Sequence, residues 1–535
     1  MSEIEFKQNS PTSLSNAGIL EAEAISAKSI QEISKVDKKL IKIFTALLSA
    51  FCFLIPVSFG GVHEITYYSF YSLGFLATGL FLLNLQNKKS LPNFSLDKKT
   101  FLAFIAAFPA WAIFQQAIFY FNTDPHSVLN STSKFANNFF AVPLLSQVFF
   151  ISLCILIFLV LENKRKPNIW LVNLLISSGF LVSLIALSHW FYDNGRLLWI
   201  FEPEYVFTSN RARWPFVNSN HLGHFLLIPA FLCIAKFINI FTESKTDNPA
   251  ELKPASKLKK FSRLATSRGQ SRLIQLIFSF VALLSMVLAI FGSLSRGAIF
   301  GFSIGVLILS LSSILMRDKK LKLIKKPEVK LQDLKQKQRR KRHGKINPNE
   351  IIDKYLNKFS IAVPYIISFV GILLFIVFMS GEGAERLEGR LEHTLLHTKD
   401  NIRWEMYKDS LEILATHPFG IGLGNWENIY PTVANQRLSG VNPVYLHSDV
   451  LQLIIELGWP ALILLFCGFF TFCFTFIKQC LRKRSNPLFR ANFAGIFALC
   501  IASLLDFPFR IPAIMLIFSL GLSLFVHLVD RSLES

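Results

Sequence analysis

Runs of about twenty apolar residues recur along this chain, and they leave one class of fold open to it. A helix rises 1.5 Å per residue, so roughly 20 such residues cross a hydrocarbon core of about 30 Å. Twelve stretches qualify: about 41–60, 65–85, 100–121, 143–161, 169–191, 219–241, 272–292, 296–316, 359–380, 449–477, 491–509 and 511–529. Lipid offers no hydrogen bonds, so a spanning segment must satisfy its own backbone, and an apolar run of this length does so as a helix. The expected fold is an all-α polytopic membrane protein with about 12 transmembrane helices. The tenth span is expected to run on from Asp449 as an uninterrupted helix.

Composition agrees. Of 535 residues 52% are hydrophobic, 54 are Phe, and mean hydropathy is +0.43, too apolar for a soluble protein of this size. The charge is clustered between the apolar runs and divides the chain. A polar tail covers 1–40, spans one to six 41–241, a basic linker 242–271, spans seven and eight 272–316, a second basic linker 317–358, span nine 359–380, a large polar loop 381–448, and spans ten to twelve 449–530. The tail lacks an early apolar core, so the first span is expected to be an uncleaved anchor.

Lysine and arginine orient the bundle. With the N-terminus in the cytoplasm, the cytoplasmic connections (86–99, 162–168, 242–272, 317–358, 478–490) hold 36 of them and the opposite segments hold 12. That asymmetry obeys the positive-inside rule and puts both termini in the cytoplasm and the 381–448 loop outside. It also accounts for the net charge of +21. The basic runs Lys253–Arg272 and Lys319–Lys345 read as linkers beside anionic membrane lipids, and no nucleic acid partner is expected.

Several chemistries are unsupported. The seven cysteines lie in or beside apolar spans without a CxxC pair, so neither a disulfide nor a thiolate metal site is expected. His393 and His397 share a helical face, but no HExxH pattern or third ligand accompanies them. No metal and no cofactor are expected. A Walker A loop and a DxD pair are also missing, which argues against an ATP motor and a metal-dependent nucleotide-sugar transferase.

The outer segments carry nine arginines and three lysines. Arginine is the better fork for phosphate oxygens, so this face suits phosphate or pyrophosphate. Arg211 and Arg213 precede a span that opens after Asn218, with Asn218 or Asn220 as its cap; a helix N-terminus beside arginine is an anion site. Arg296 sits at the tip of the hairpin between spans seven and eight, where a charge needs a partner or a cavity. His447 stands at the mouth of the tenth span with Asp449 in the first turn, and a neutral imidazole there can take a proton from a sugar hydroxyl. In the large loop, 401–414 has helical apolar spacing and places Arg403 either toward the site or toward lipid phosphates. A glycine-rich turn follows over Pro418 to Gly424. Asp506 and Arg510, either side of Pro508, fit an ion pair that fixes the last hairpin.

At these residues the chain resembles the O-antigen ligase and polymerase superfamily of bacterial inner-membrane glycosyltransferases. The matching pieces are Arg211 to His221, Ser295-Arg296-Gly297-Ala298, Arg403-Trp404 to Gly424, His447-Ser448-Asp449 with Glu456-Leu-Gly458, and Asp506 to Pro512, in family order over about 200–515. Trp214 and Ser448 depart from the Gly and Asn common among relatives. The resemblance implies a C-type transferase fold in the bacterial inner membrane, with the large loop and the active site periplasmic. It implies a donor glycan on undecaprenyl pyrophosphate and a lipid or glycan acceptor, with lipid A-core favoured over a growing polymer. Arg211, Arg296, Arg213 and Arg403 would hold pyrophosphate and His447 would be the base. Asn218, Asn220, Asp449, Asp506 and Arg510 would support them, without metal and with inversion. A polytopic transporter or flippase is the alternative outside this class.

Overall fold

The computed structural model describes residues 42–86, 96–121, 169–192, 211–242, 267–323, 402–434, 443–481 and 486–529, with isolated positions between them. Among these residues all regular structure is helical: α1 Lys42–Val57, α2 Glu64–Gln86, α3 Leu96–Phe121, α4 Ile169–Phe191, α5 Ser219–Thr242, α6 Ser267–Gly292, α7 Arg296–Leu323, α8 Ile402–Thr416, α9 Trp426–Val433, α10 Asp449–Leu481, α11 Pro487–Ala502 and α12 Pro512–Leu528. Six of them (α3 to α7 and α10) are long and apolar enough to cross a membrane, and α1, α11 and α12 are apolar but shorter. The expected spans at 143–161 and 359–380, the residues Arg386, Arg390, His393 and His397, and most of the two basic linkers lie outside the described residues.

Two boundaries differ from expectation. The eleventh helix begins and ends early, at Pro487–Ala502 rather than 491–509. Asn486 caps it, its side chain accepting the Phe489 N–H at 2.7 Å, with Pro487 pre-set for the first turn. The freed residues 503–507 become a turn. The tenth helix is broken at Gly458, which takes φ 75 and ψ −171. The carbonyls released by the break find donors elsewhere. Ile421 and Gly422 N–H reach Ile455 and Glu456 O at 3.2 and 2.9 Å. From α3, Trp111 Nε1 reaches Leu457 O at 2.8 Å and Gln115 Nε2 reaches Glu456 O at 2.9 Å. A helix can be interrupted at membrane depth only where such partners exist.

The bundle is built around α5, buried along most of its length and packed by α4, α6, α7, α11 and α12. Between α7 and α11 the packing is set by small residues. Gly297, Gly301 and Gly305, one helical turn apart, face Ala502, Ala498 and Ala494, and a Cβ on Gly301 would lie 2.5 Å from the Ala498 carbonyl oxygen. Such a stripe lets two backbones close on each other. It brings the N-terminus of α7, where Arg296 sits, against the C-terminal end of α11, from which Asp506 hangs. α8 packs on α10 and on α9, burying Met406, Ser410, Ile413 and Leu414 while Trp404 and Leu411 stay exposed. The helix read from 401–414 therefore lies over the bundle on its apolar face.

Candidate functional site

Arg211 opens the described segment 211–218 that leads into α5. Its Nε donates to the Ser293 carbonyl at 2.7 Å and its terminal nitrogen donates to Asn220 Oδ1 at 2.7 Å. The Ala212 N–H also bonds Gly292 O at 2.9 Å, so this segment is stitched to the α6–α7 hairpin. Arg296, exposed, opens α7 just beyond that hairpin. Arg211 is thus bonded to the turn that Arg296 follows. Arg213 is buried instead, its guanidinium 4.6 Å over the Trp214 ring.

Asn218 is the cap of α5: its Oδ1 accepts the Asn220 N–H at 2.9 Å, satisfying one of the first-turn donors. Asn220 is not a cap. Its Nδ2 donates to Asp506 Oδ2 at 2.6 Å. The other Asp506 oxygen faces His447 Nδ1 at 3.6 Å, an electrostatic contact longer than a hydrogen bond. Arg211, Asn220, Asp506 and His447 therefore form one continuous polar chain across three separate segments.

His447 sits in the left-handed region at φ 60, immediately before the α10 cap. Ser448 is that cap, its Oγ accepting Leu451 N–H at 3.3 Å. The His447 carbonyl accepts from Tyr407 Oη on α8 at 2.9 Å, and the ring packs edge-on against Phe507 with centroids 5.0 Å apart. Main chain and ring are therefore both held. From α8, Arg403 donates to the Leu505 carbonyl at 3.4 Å, which turns it toward the site.

Burial alone would raise the Asp506 carboxyl. Its contact with His447 and the fields of His224, His221 and Arg403 outweigh that and hold it well below the usual carboxylate range. Asp506 is thus a permanent negative charge beside His447, able to stabilise the imidazolium that forms when the ring takes a proton.

The expected Asp506–Arg510 pair is replaced by two others. The turn Pro508–Arg510 is a single 3-10 turn, which rotates the two side chains apart. Arg510 bonds Glu456 Oε2 at 3.1 Å and lies 3.6 Å from Asp449 Oδ1. Burial disfavours the guanidinium charge, but Glu456 and Asp449 more than restore it. Asp449 also accepts the Phe509 N–H at 2.6 Å, while its own N–H bonds Ser503 and Asp506 O at 3.0 and 3.1 Å. Gln452 links this group back to the His447 segment, accepting Leu446 N–H at 3.1 Å and donating to Glu456 Oε1 at 2.8 Å.

Sequence reasoning gave Gln452 and Tyr407 no part in this frame, and named Glu456 only within the Glu456-Leu-Gly458 piece of the resemblance. A carboxylate in mid-span, followed by Gly458-Trp-Pro460, was the signal available for Glu456. Among the described residues no group of three or more His, Cys, Asp and Glu side chains is arranged to hold a metal ion.

Comparison with curated proteins finds no match. Residues 281–466 match the family model described as O-antigen ligase, a stretch that holds Arg296, Arg403, His447 and Asp449, with Arg211 and Asp506 on either side of it. Over that stretch of the 535 residues the chain is similar to the O-antigen ligase family.

Proposed function

We propose that this protein transfers a glycan from undecaprenyl pyrophosphate to an acceptor hydroxyl at the periplasmic face of the bacterial inner membrane. The acceptor we favour is lipid A-core, which makes it an O-antigen ligase; a polymerase, whose acceptor is another repeat unit, would use the same donor chemistry. About twelve spans would carry this face, with both termini cytoplasmic. The observation that supports the reading is the chain from Arg211 through Asn220 and Asp506 to His447, which joins an anion-binding arginine to a general base.

His447 removes the acceptor hydroxyl proton. The oxygen attacks the anomeric carbon from the face opposite the pyrophosphate, the carbon–oxygen bond to pyrophosphate breaks, and the configuration inverts. The leaving pyrophosphate gains negative charge, which Arg211 and Arg296 stabilise, with Arg403 nearby and the buried Arg213 adding field. Asp506 balances the imidazolium. Asn218, Asp449 and Arg510 hold α5, α10 and the 503–511 turn in place. Arginines supply the charge that a metal would otherwise supply, so the proposed reaction is metal-independent.

The test is His447→Ala in the native host at matched protein level, with surface glycans and undecaprenyl-linked glycans analysed together. Long lipid-linked polymer accumulating beside bare lipid A-core supports the ligase. Single repeats capping the core identify a polymerase. Unchanged pools of both overturn catalysis by His447 and favour a transporter.

A further inference from the structure

Asn220 touches both halves of the site with one amide group. Its oxygen accepts from Arg211 at 2.7 Å and its nitrogen donates to Asp506 at 2.6 Å. A guanidinium can only donate and an ionised carboxylate can only accept. An amide carries an acceptor and a donor in one plane, so it bridges the two groups in a single orientation. Both partners fix that orientation: the Asp506 carboxylate takes Nδ2 and the Arg211 guanidinium takes Oδ1. The main chain of Asn220 is anchored by the Asn218 cap at 2.9 Å, at the start of the most buried of the six long spans. Arg211 is held at a second point by the Ser293 carbonyl at 2.7 Å, so the Asn220 bond sets the plane of its guanidinium.

We propose that Asn220 is a positioning residue that couples the arginine of the donor side to the carboxylate beside the base. The inference rests on reading Arg211 as a pyrophosphate ligand. Replacing Asp506 by Ala removes the acceptor that holds Nδ2. The Asn220 amide is then tethered by Arg211 alone, and the guanidinium is no longer held in its plane. Affinity for pyrophosphate falls although no residue touching it has changed. Without an amide at 220 the same substitution has no route to Arg211.

The test is a double-mutant cycle on the full-length chain in lipid nanodiscs, read as affinity for undecaprenyl pyrophosphate. Asp506→Ala is expected to weaken binding about fivefold or more in the wild-type background. In the Asn220→Leu background, which keeps the volume and removes the amide, it is expected to change binding by less than about twofold. Equal weakening in both backgrounds, or none in either, overturns the coupling. If Asn220→Leu does not assemble, Asn220→Ser replaces it, since a hydroxyl is too short to reach both partners. Arg211→Ala keeps the two readings apart. Wild-type affinity in that variant defeats the donor reading itself, whereas lost affinity together with a cycle that shows no coupling defeats only the role of Asn220.

Discussion

Gly420 and Gly458 meet backbone to backbone, so closely that neither position has room for a Cβ. A Cβ on Gly420 would collide with the Glu456 carbonyl oxygen, and one on Gly458 would collide with the carbonyl carbon of Phe419. Both residues are left-handed, at φ 84 and 75. The contact closes the glycine-rich turn onto the break in α10, where Trp459 N–H completes it by bonding Pro418 O at 2.9 Å.

Gly458→Ala and Gly420→Ala are each expected to destabilise the protein by at least about 2 kcal/mol, the left-handed penalty plus the displaced contact. Thermal unfolding in detergent measures this. Gly468→Ala is the control, because a Cβ there meets nothing within 4 Å and the glycine is helical. Equal midpoints for all three variants would show that the turn does not depend on this approach.

Arg510→Met should be among the most damaging single changes outside the reacting groups. It leaves Asp449 and Glu456, both buried, without their cation. Removing one partner of a buried ion pair costs about 3–5 kcal/mol. Adding Glu456→Gln and Asp449→Asn to Arg510→Met should recover much of the loss, since the buried charge goes with its partner. Failure of the triple variant to recover would argue that shape, not charge, is the problem.

Asp506→Asn should separate from the wild type in a defined pH window. The folded-state carboxyl lies below its unfolded value, so the carboxylate stabilises the protein fully above the ordinary Asp value of about 3.9. That contribution is lost as pH falls below it. The gap between wild-type and variant unfolding midpoints should therefore stay constant from about pH 7 to 5 and shrink below about 4. A gap that widens on acidification contradicts the sign.

Arg211→Lys keeps the charge and loses the fork. Lysine cannot hold the Ser293 carbonyl and the Asn220 amide at once in the same plane. Glycan transfer from a lipid-linked donor is expected to fall about 100-fold, the scale of losing one oriented donor to a developing charge. The unfolding midpoint should move little by comparison. A variant with near wild-type turnover would mean that charge alone suffices at this position.

Much of the candidate site could be read from the chain because its signals are local. Asn218 two residues before Asn220 is a capping pattern, His447 followed by Ser448 marks a helix mouth, and the apolar spacing after Asn401 gives the α8 helix. The partners could not be read. Asn220 joins Asp506 and Arg510 joins Glu456 only because α5, α10 and the 503–511 turn are packed together, and the distance along the chain says nothing of that. Asp506 and Arg510 show the hazard of local reasoning: spaced like a helical pair, they face different partners because Pro508 starts a tighter turn. The break at Gly458 had a local signature in Gly-Trp-Pro, but hydropathy averages over it. A window centred there remains apolar enough to read as one span.

The break in α10 also sets a depth. Its outer stub, Asp449 to Leu457, is about 13 Å long, less than half of a hydrocarbon layer. The stub carries Asp449, Gln452 and Glu456 on one flank, so hydrophilic groups descend well below the level that a continuous helix would reserve for oil. A donor tethered by a polyprenyl tail keeps the linkage between tail and sugar near the headgroups. Under the proposed function, the broken helix would bring the floor of the site down to the level of that linkage.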